Sequence, residues 1–192
     1  MAAIQPVINA LVDLDEPYYV GGSFASIIYG EVRATLDADL VVDLRLESIS
    51  KLIDRLGSDY YTSREMIHWA IKHQRAFNVI HQATGFKIDL FTLKDTAYDA
   101  EAFGRRKMIA VTPPPDPVRW YFATPEDTVL HKLLWYRMGE ESRQWKDIRG
   151  VLLTQWPHLD HGYLRDWAQH LEVTDLFDEA LKEIDHLLPP PS

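Results

Sequence analysis

The chain has no cysteine, which excludes disulfides, thiolate metal sites and a cysteine nucleophile and leaves its compartment open. Nor is there any run near the roughly 18 uninterrupted apolar residues that a membrane-spanning helix requires, so a soluble protein with no membrane partner is expected. Positive charge is scarce as well. Lys and Arg number 20 against 29 Asp and Glu, a formal net charge of -9 with a pI near 5.3. That balance argues against coating nucleic acid through a broad basic face and leaves room only for a local basic patch. The opening MAAIQPVINALVDLDEP has no basic lead and meets Asp13 and Asp15 early. It reads as a first helix rather than a secretion signal, and a cytoplasmic protein is expected.

What is present suits one domain, or a core with a small appended one: 192 residues, 46% of them hydrophobic, with six Trp, nine Tyr and seven Phe to fill an interior. Ile4, Val7, Ile8, Leu11 and Val12 recur at helical spacing, and Pro17 ends that pattern before a strand at 18–20. Leu36, Leu40, Val41, Val42 and Leu44 suggest a second strand, followed by a helix near 47–56 that Gly57 stops. DYYT reads as a short third strand and SREMIHWAIKHQ as a helix. FNVIHQATGFKIDLFTL then forms the clearest hairpin, turning at Ala83, Thr84 and Gly85. RRKMIAV and VRWYF read as edge strands separated by TPPPDP, a proline cluster that no central ladder accepts.

From Thr124 the pattern turns helical. TPEDTVLHKLLWYRMG has an N-cap Thr, a Pro at the first helical position, acids in the first turn and Gly139 at its end. Further helices are expected at 142–155, 160–171 and 173–188, ahead of a PPPS tail. No internal repeat or low-complexity segment occurs. The organisation is α+β, with one half over residues 1–122 and a helical half over 123–192, the boundary falling within 112–124.

The stretch YYVGGSFASIIYG, residues 18–30, turns a strand into a helix at two glycines and a serine. Such a turn fits either a serine nucleophile at Ser23 or a phosphate cradle, and the local letters alone do not decide. The carboxylates that follow favour the cradle. In TLDADLVV, Asp37 and Asp39 project to the same face of a strand, where like charges repel unless they share divalent cations. Mg²⁺ (or Mn²⁺) prefers one or two carboxylates together with substrate phosphate oxygens, and Asp89, in KIDLF on a neighbouring strand, offers a third. Such a site would activate an attacking oxygen and neutralise a departing pyrophosphate, which is nucleotidyl transfer from an NTP. Gly21 and Gly22 then permit close backbone approach, and amides opening the next helix bind anionic oxygens, with Ser23 as a donor or metal-proximal hydroxyl. Arg33 contacts phosphate and Thr35 orients the loop in the same reading.

GGSFASIIYGEVRATLDADLVV resembles the signature of the polymerase-β-type nucleotidyltransferase superfamily: a GG or GS turn, a short helix, a glycine, Arg and Thr, then Asp-x-Asp, with a third acid on a later strand. TPEDTVLHKLLWYRMG, SRQWKDIRGVLL and HLDHGYLRDWAQHLEV extend the likeness to small bacterial nucleotidyltransferase-like proteins, more distantly similar to toxin nucleotidyltransferases of toxin–antitoxin systems. The resemblance implies a nucleotidyltransferase-like mixed β-sheet with flanking helices, followed by a C-terminal helical bundle. It further implies that Lys132 faces the cleft and holds a triphosphate, accompanied by Gln144 and Asp147. Asp37 and Asp39 would bind both metals, and Asp89 would bind one and assist deprotonation of the acceptor. Ala38 between the acids, and Phe24 after GGS, depart from the usual pattern without removing a ligand. The acceptor is expected to be a tRNA end, a protein hydroxyl or a small molecule, and a cognate antitoxin is a further partner the resemblance implies.

Competing readings remain open at this level. One is a non-catalytic domain that binds nucleotide or a partner protein within a two-gene system; another is a serine hydrolase using Ser23. The acids also fit solvated strand ends, Arg33 and Thr35 ordinary loop positions, and Lys132 an exposed lysine of an amphipathic helix. The eight histidines lack zinc-site spacing: His68 with His73 and His158 with His161 have neither the flanking acid nor the i, i+4 interval. Trp and Tyr at 135, 136, 145, 156, 163 and 167 read as the helical core. Arg105, Arg106 and Lys107 form the densest basic run, with Lys72, His73 and Arg75 a lesser one, and solvated surface is the default for both.

Overall fold

A computed structural model describes residues 2–139 and 141–187, without the side chains of 141 and 142. Pro6, in a first turn that needs no amide donor, opens α1 (Gln5–Asp13), whose Val7, Ile8, Ala10 and Leu11 are buried. The chain continues through β1 (Tyr18–Val20), α2 (Gly22–Tyr29), β2 (Asp37–Val42) and α3 (Ile49–Leu56). A 3₁₀ turn, Leu46–Ser48, precedes α3, and Gly57 ends it at φ 59°, a left-handed conformation that suits glycine. Next come β3 (Tyr60–Tyr61), α4 (Arg64–His73), β4 (Ala76–His81), β5 (Phe86–Thr92), α5 (Ala97–Arg105), β6 (Lys107–Ala110) and β7 (Arg119–Phe122). The remaining helices are α6 (Pro125–Arg137), α7 (Glu141–Gln155), α8 (His161–His170) and α9 (Thr174–Ile184).

The described residues fall into two compact units, one within 1–21 and 35–122 and the other within 22–34 and 123–192. The segment from Gly22 to Ala34, including α2, thus belongs with the helical unit, although it lies early in the sequence.

In the first unit the strands form one seven-stranded mixed sheet, ordered β3-β4-β5-β2-β1-β7-β6. β2 runs parallel to β5 and antiparallel to β1, and β1 runs parallel to β7. Period-two alternation gives the sheet two unlike faces. Ala38, Leu40 and Val42 of β2 pair with Ile88, Leu90 and Thr92 of β5, and all six are buried. α1 and α4 cover this face. Trp120 Nε1 donates to Gln5 Oε1 at 3.0 Å, and Thr92 Oγ1 donates to the carbonyl of Arg75, just past α4, at 3.0 Å. Each fully buried Leu or Ile contributes roughly 1.5–3 kcal/mol, so this layer dominates the unit's stability. The opposite face carries Asp37, Asp39, Lys87 and Asp89, all less buried.

In the second unit Val129, Leu130 and Leu133 of α6 join Ile148, Val151 and Leu152 of α7, with Leu164, Ala168, Phe177, Ala180 and Ile184 from α8 and α9, in an aliphatic interior. Asp127, fully buried in α6, accepts from Thr124 Oγ1 at 2.6 Å and from Tyr163 Oη of α8 at 2.7 Å. Gly30 brings the end of α2 against the α7 backbone, where a Cβ would lie 2.9 Å from Val151 N.

Three expectations are corrected. VRWYF is not an edge strand: β7 pairs with β1 on one side and β6 on the other, so only β6 lies at that edge. The Trp and Tyr residues at 135, 136, 145, 156, 163 and 167 are each only half-buried and rim the aliphatic core, their polar tips turned to partners such as Glu183 for Trp145 Nε1. Helix α5 was not expected at all. Residue 188 of the last expected helix and the PPPS tail lie outside the described residues.

Candidate active site

The DADLVV alternation places Asp37 and Asp39 on one face of β2 with the buried Ala38 pointing the other way. The parallel register sets Asp39 directly opposite Asp89 and Asp37 opposite Lys87. Three acids from two adjacent strands therefore share a face with one lysine. Thr35 Oγ1 donates to Asp37 Oδ1 at 2.9 Å and so orients that carboxylate from the preceding loop.

Lys87 was not singled out from the sequence, although it stands two residues before Asp89 and period two puts both on the same face. Its ammonium lies 2.7 Å from Asp89 Oδ2. The lysine is held above its ordinary range, first by the hydrogen bond to Asp89 and, against partial desolvation, by the fields of Asp89, Asp37 and Asp39. One cation thus feels all three carboxylates. The donors are hard oxygens alone, the set that suits Mg²⁺ or Mn²⁺. Among the described residues, however, no group of three or more Asp, Glu or His is drawn tightly enough to hold a metal ion. The pair Asp37 and Asp39 fits a cation that takes its other ligands from phosphate and water; Asp89 joins only if Lys87 releases it.

Gly21 closes β1, and its N–H donates to the Asp39 carbonyl at 2.8 Å, which commits that amide to the sheet. Gly22, at φ 49°, makes the turn into α2. Ser23 lies inside the first turn of α2, and positive φ falls on Gly22 rather than on the serine, so Ser23 lacks the strained geometry of a nucleophile elbow.

In the helical unit Ser23 Oγ accepts from Arg33 Nη2 at 2.8 Å. The partner is a guanidinium, which stays protonated and cannot act as a base for the serine. Arg33 also forms a two-pronged pair with Asp147, Nε to Oδ1 at 3.0 Å and Nη2 to Oδ2 at 2.7 Å. Lys132 Nζ reaches the same carboxylate at 2.8 Å and donates to Gln144 Oε1 at 2.7 Å. Burial alone would raise the Asp147 carboxyl, but Arg33 and Lys132 outweigh it and hold the group below the usual carboxylate range. Of the two readings of Lys132, the exposed lysine of an amphipathic helix does not hold: the side chain is 2% exposed and pairs with Asp147. Ser23, Arg33, Lys132, Gln144 and Asp147 are thus one connected network.

No family model matches the sequence, and no curated protein matches it. Solved structures do match. An antigenic nucleotidyltransferase-like protein from Paracoccidioides brasiliensis superposes with a TM-score of 0.64 at 15% identity, covering 97% of this chain and 90% of that one. The fold is that of the polymerase-β-type nucleotidyltransferases. The antibiotic-resistance factor ANT(2'')-Ia shares this nucleotidyltransferase fold. Its structure in complex with adenylyl-2''-tobramycin gives a TM-score of 0.52 at 18% identity over 90% of this chain and 92% of that one. Its solution structure gives 0.50 at 17% identity over 96% and 94%. On the sheet of that fold lie the three acids, and α2 carries the serine.

Proposed function

We propose that the protein transfers a nucleoside monophosphate from an NTP to an acceptor hydroxyl and releases pyrophosphate. The observation that carries this reading is the register of β2 and β5, which sets Asp39 beside Asp89 and Asp37 on the same face, in a nucleotidyltransferase fold. Asp37 and Asp39 would hold Mg²⁺ or Mn²⁺, which when bound supplies charge neutralisation and activation of an attacking oxygen. Thr35 fixes Asp37 for that purpose. Asp89, released from Lys87, would be the third ligand and take the proton of the acceptor hydroxyl. Ser23 already accepts from Arg33, so its own hydrogen stays available to an anionic phosphate oxygen, alongside the unpaired amides that open any helix. Arg33 would supply charge to the triphosphate. Lys132 would act on it through Asp147, which positions Arg33. The acceptor class remains a tRNA end, a protein hydroxyl or a small molecule.

A second reading draws support from the Lys87–Asp89 pair at 2.7 Å, which occupies the third acid. In it the chain is a non-catalytic nucleotide- or partner-binding domain, such as one half of a two-gene toxin–antitoxin pair.

One experiment separates the two. The protein is incubated with each α-labelled NTP, Mg²⁺ and total cellular RNA or protein, beside Asp37→Ala and Asp39→Ala. Label transfer that both substitutions abolish supports the transferase. Transfer that survives them removes these acids from the chemistry, and NTP binding without transfer favours the second reading.

A further inference from the structure

Helix α4 lies on the sheet face opposite the three acids, held there by its buried Ile67 and Ala70 and by the Thr92 hydroxyl at its C-terminal end. Its other side is open. Glu65, His68, Trp69 and Lys72 recur at the i, i+3, i+4, i+7 interval and form one exposed stripe. A groove of about 450 Å³ runs beside it, with Leu46 and Ile49 on its other wall.

Two features of this groove point to a ligand. Trp69 lines the groove and is 53% exposed, so part of its indole is open to a ligand. His73 stacks on one of its faces with ring centroids 4.6 Å apart and planes 22° from parallel, which fixes the orientation of the indole. The second feature is charge. On a chain with a net charge of -9, this groove sets two cations, Arg64 and Lys72, against a single acid. That acid, Glu65, is turned back to accept from Ser63 Oγ at 2.8 Å, as at many helix starts. Arg64 is anchored by its hydrogen bond to Ser50 of α3.

We propose that the outer side of α4 binds single-stranded nucleic acid, with a base stacked on Trp69 and backbone phosphates on Arg64 and Lys72. An exposed, pre-oriented indole flanked by cations is the combination that recognises a strand without reading its sequence, because every base has a π-face and every linkage a charge. An acidic peptide would use the cations but leave the indole idle, which is why the strand is the better fit. The site lies on the far side of the sheet from Asp37, Asp39 and Asp89, so it is separate from them and does not rest on the transferase reading.

The test uses the full chain and fluorescence anisotropy with short labelled oligo(U), oligo(dT) and oligoglutamate at several salt concentrations. Binding of oligo(U) or oligo(dT) is expected, the two arms showing whether RNA or DNA is preferred. Trp69→Ala should weaken it about tenfold while Trp69→Phe retains most of it. Lys72→Glu should weaken it and reduce the log–log salt slope by about one. Asp37→Ala should bind as the parent does. Absence of binding, equal binding of oligoglutamate, or affinity unchanged in both Trp69→Ala and Lys72→Glu would overturn the proposal.

Discussion

The Lys132 ammonium lies 2.8 Å from an Asp147 carboxylate oxygen, in a pair where the lysine side chain is 2% and the aspartate 6% exposed. Neither charge has water to fall back on. Removing Asp147 takes the carboxylate away from a buried ammonium, so Asp147→Ala should cost about 3–5 kcal/mol of unfolding free energy, whereas Lys132→Ala leaves Asp147 its two-pronged pair with Arg33 and should cost less. The double variant Lys132→Met with Asp147→Leu should cost clearly less than the sum, because Arg33, 20% exposed, can turn to solvent. Urea unfolding of the four proteins measures this coupling; single substitutions costing under about 1 kcal/mol would show that the pair is not holding α6 to α7.

The same carboxylate sets an acid limb. Asp147 titrates below its unfolded value of about 3.9, so the native state binds fewer protons than the unfolded chain in that range. Its contribution is therefore complete above pH 4 or so, and is lost as pH falls through the lower native value. Stability measured from neutral pH down to about 3 should drop more steeply for the parent than for Asp147→Asn, which has no proton to take up there. Parallel curves would mean that other carboxylates govern acid unfolding.

The alternation in DADLVV and KIDLF was enough to place three acids on one face of neighbouring strands, because period two is a local property. What surrounds them was not local. By its helical pattern alone Lys132 fits a surface lysine, only the family resemblance setting it near Gln144 and Asp147, and the meeting of Arg33 with that aspartate from the loop after α2 was not foreseen. Such pairings depend on tertiary packing that no window of sequence contains. Helix α5 was missed for a different reason: only Tyr98, Ala102 and Phe103 are buried in its nine residues, too few to show a period, although Thr96 caps it by accepting from Asp99 N. VRWYF reads as an edge because of the proline cluster before it, but those prolines lie only in the loop joining β6 to β7, and the pairing of β7 with β1 is a long-range contact.

Two glycines should respond oppositely to alanine. At Gly30 a Cβ would stand 2.9 Å from Ser26 O and Val151 N, both backbone atoms that cannot swing aside. Gly30→Ala should therefore cost about 1–3 kcal/mol by overpacking the α2–α7 crossing. Gly104 lies in α5 with no atom within 4 Å of the new carbon. Gly104→Ala should stabilise by about 0.5–1 kcal/mol, since alanine loses less backbone freedom in a helix. Thermal or urea unfolding of the two variants reads the signs directly, and equal effects would contradict the close approach at Gly30.

Lys87 is the cation paired with Asp89 on the acidic face, and its substitution tests what the three carboxylates are for. While its ammonium sits 2.7 Å from Asp89, it neutralises part of the repulsion among Asp37, Asp39 and Asp89 and competes with any divalent cation. Lys87→Met keeps the stem of the side chain along the sheet and removes only the charge, so the fold should survive. Carboxylates left without that counter-charge should bind Mn²⁺ several-fold more tightly, by the same Coulombic logic that made them hold the ammonium. Free Mn²⁺ counted by electron paramagnetic resonance gives the affinity without any assay of turnover. Adding Asp39→Asn to Lys87→Met should abolish the gain. If Lys87→Met binds Mn²⁺ no better than the parent, the lysine is not standing where a metal would go.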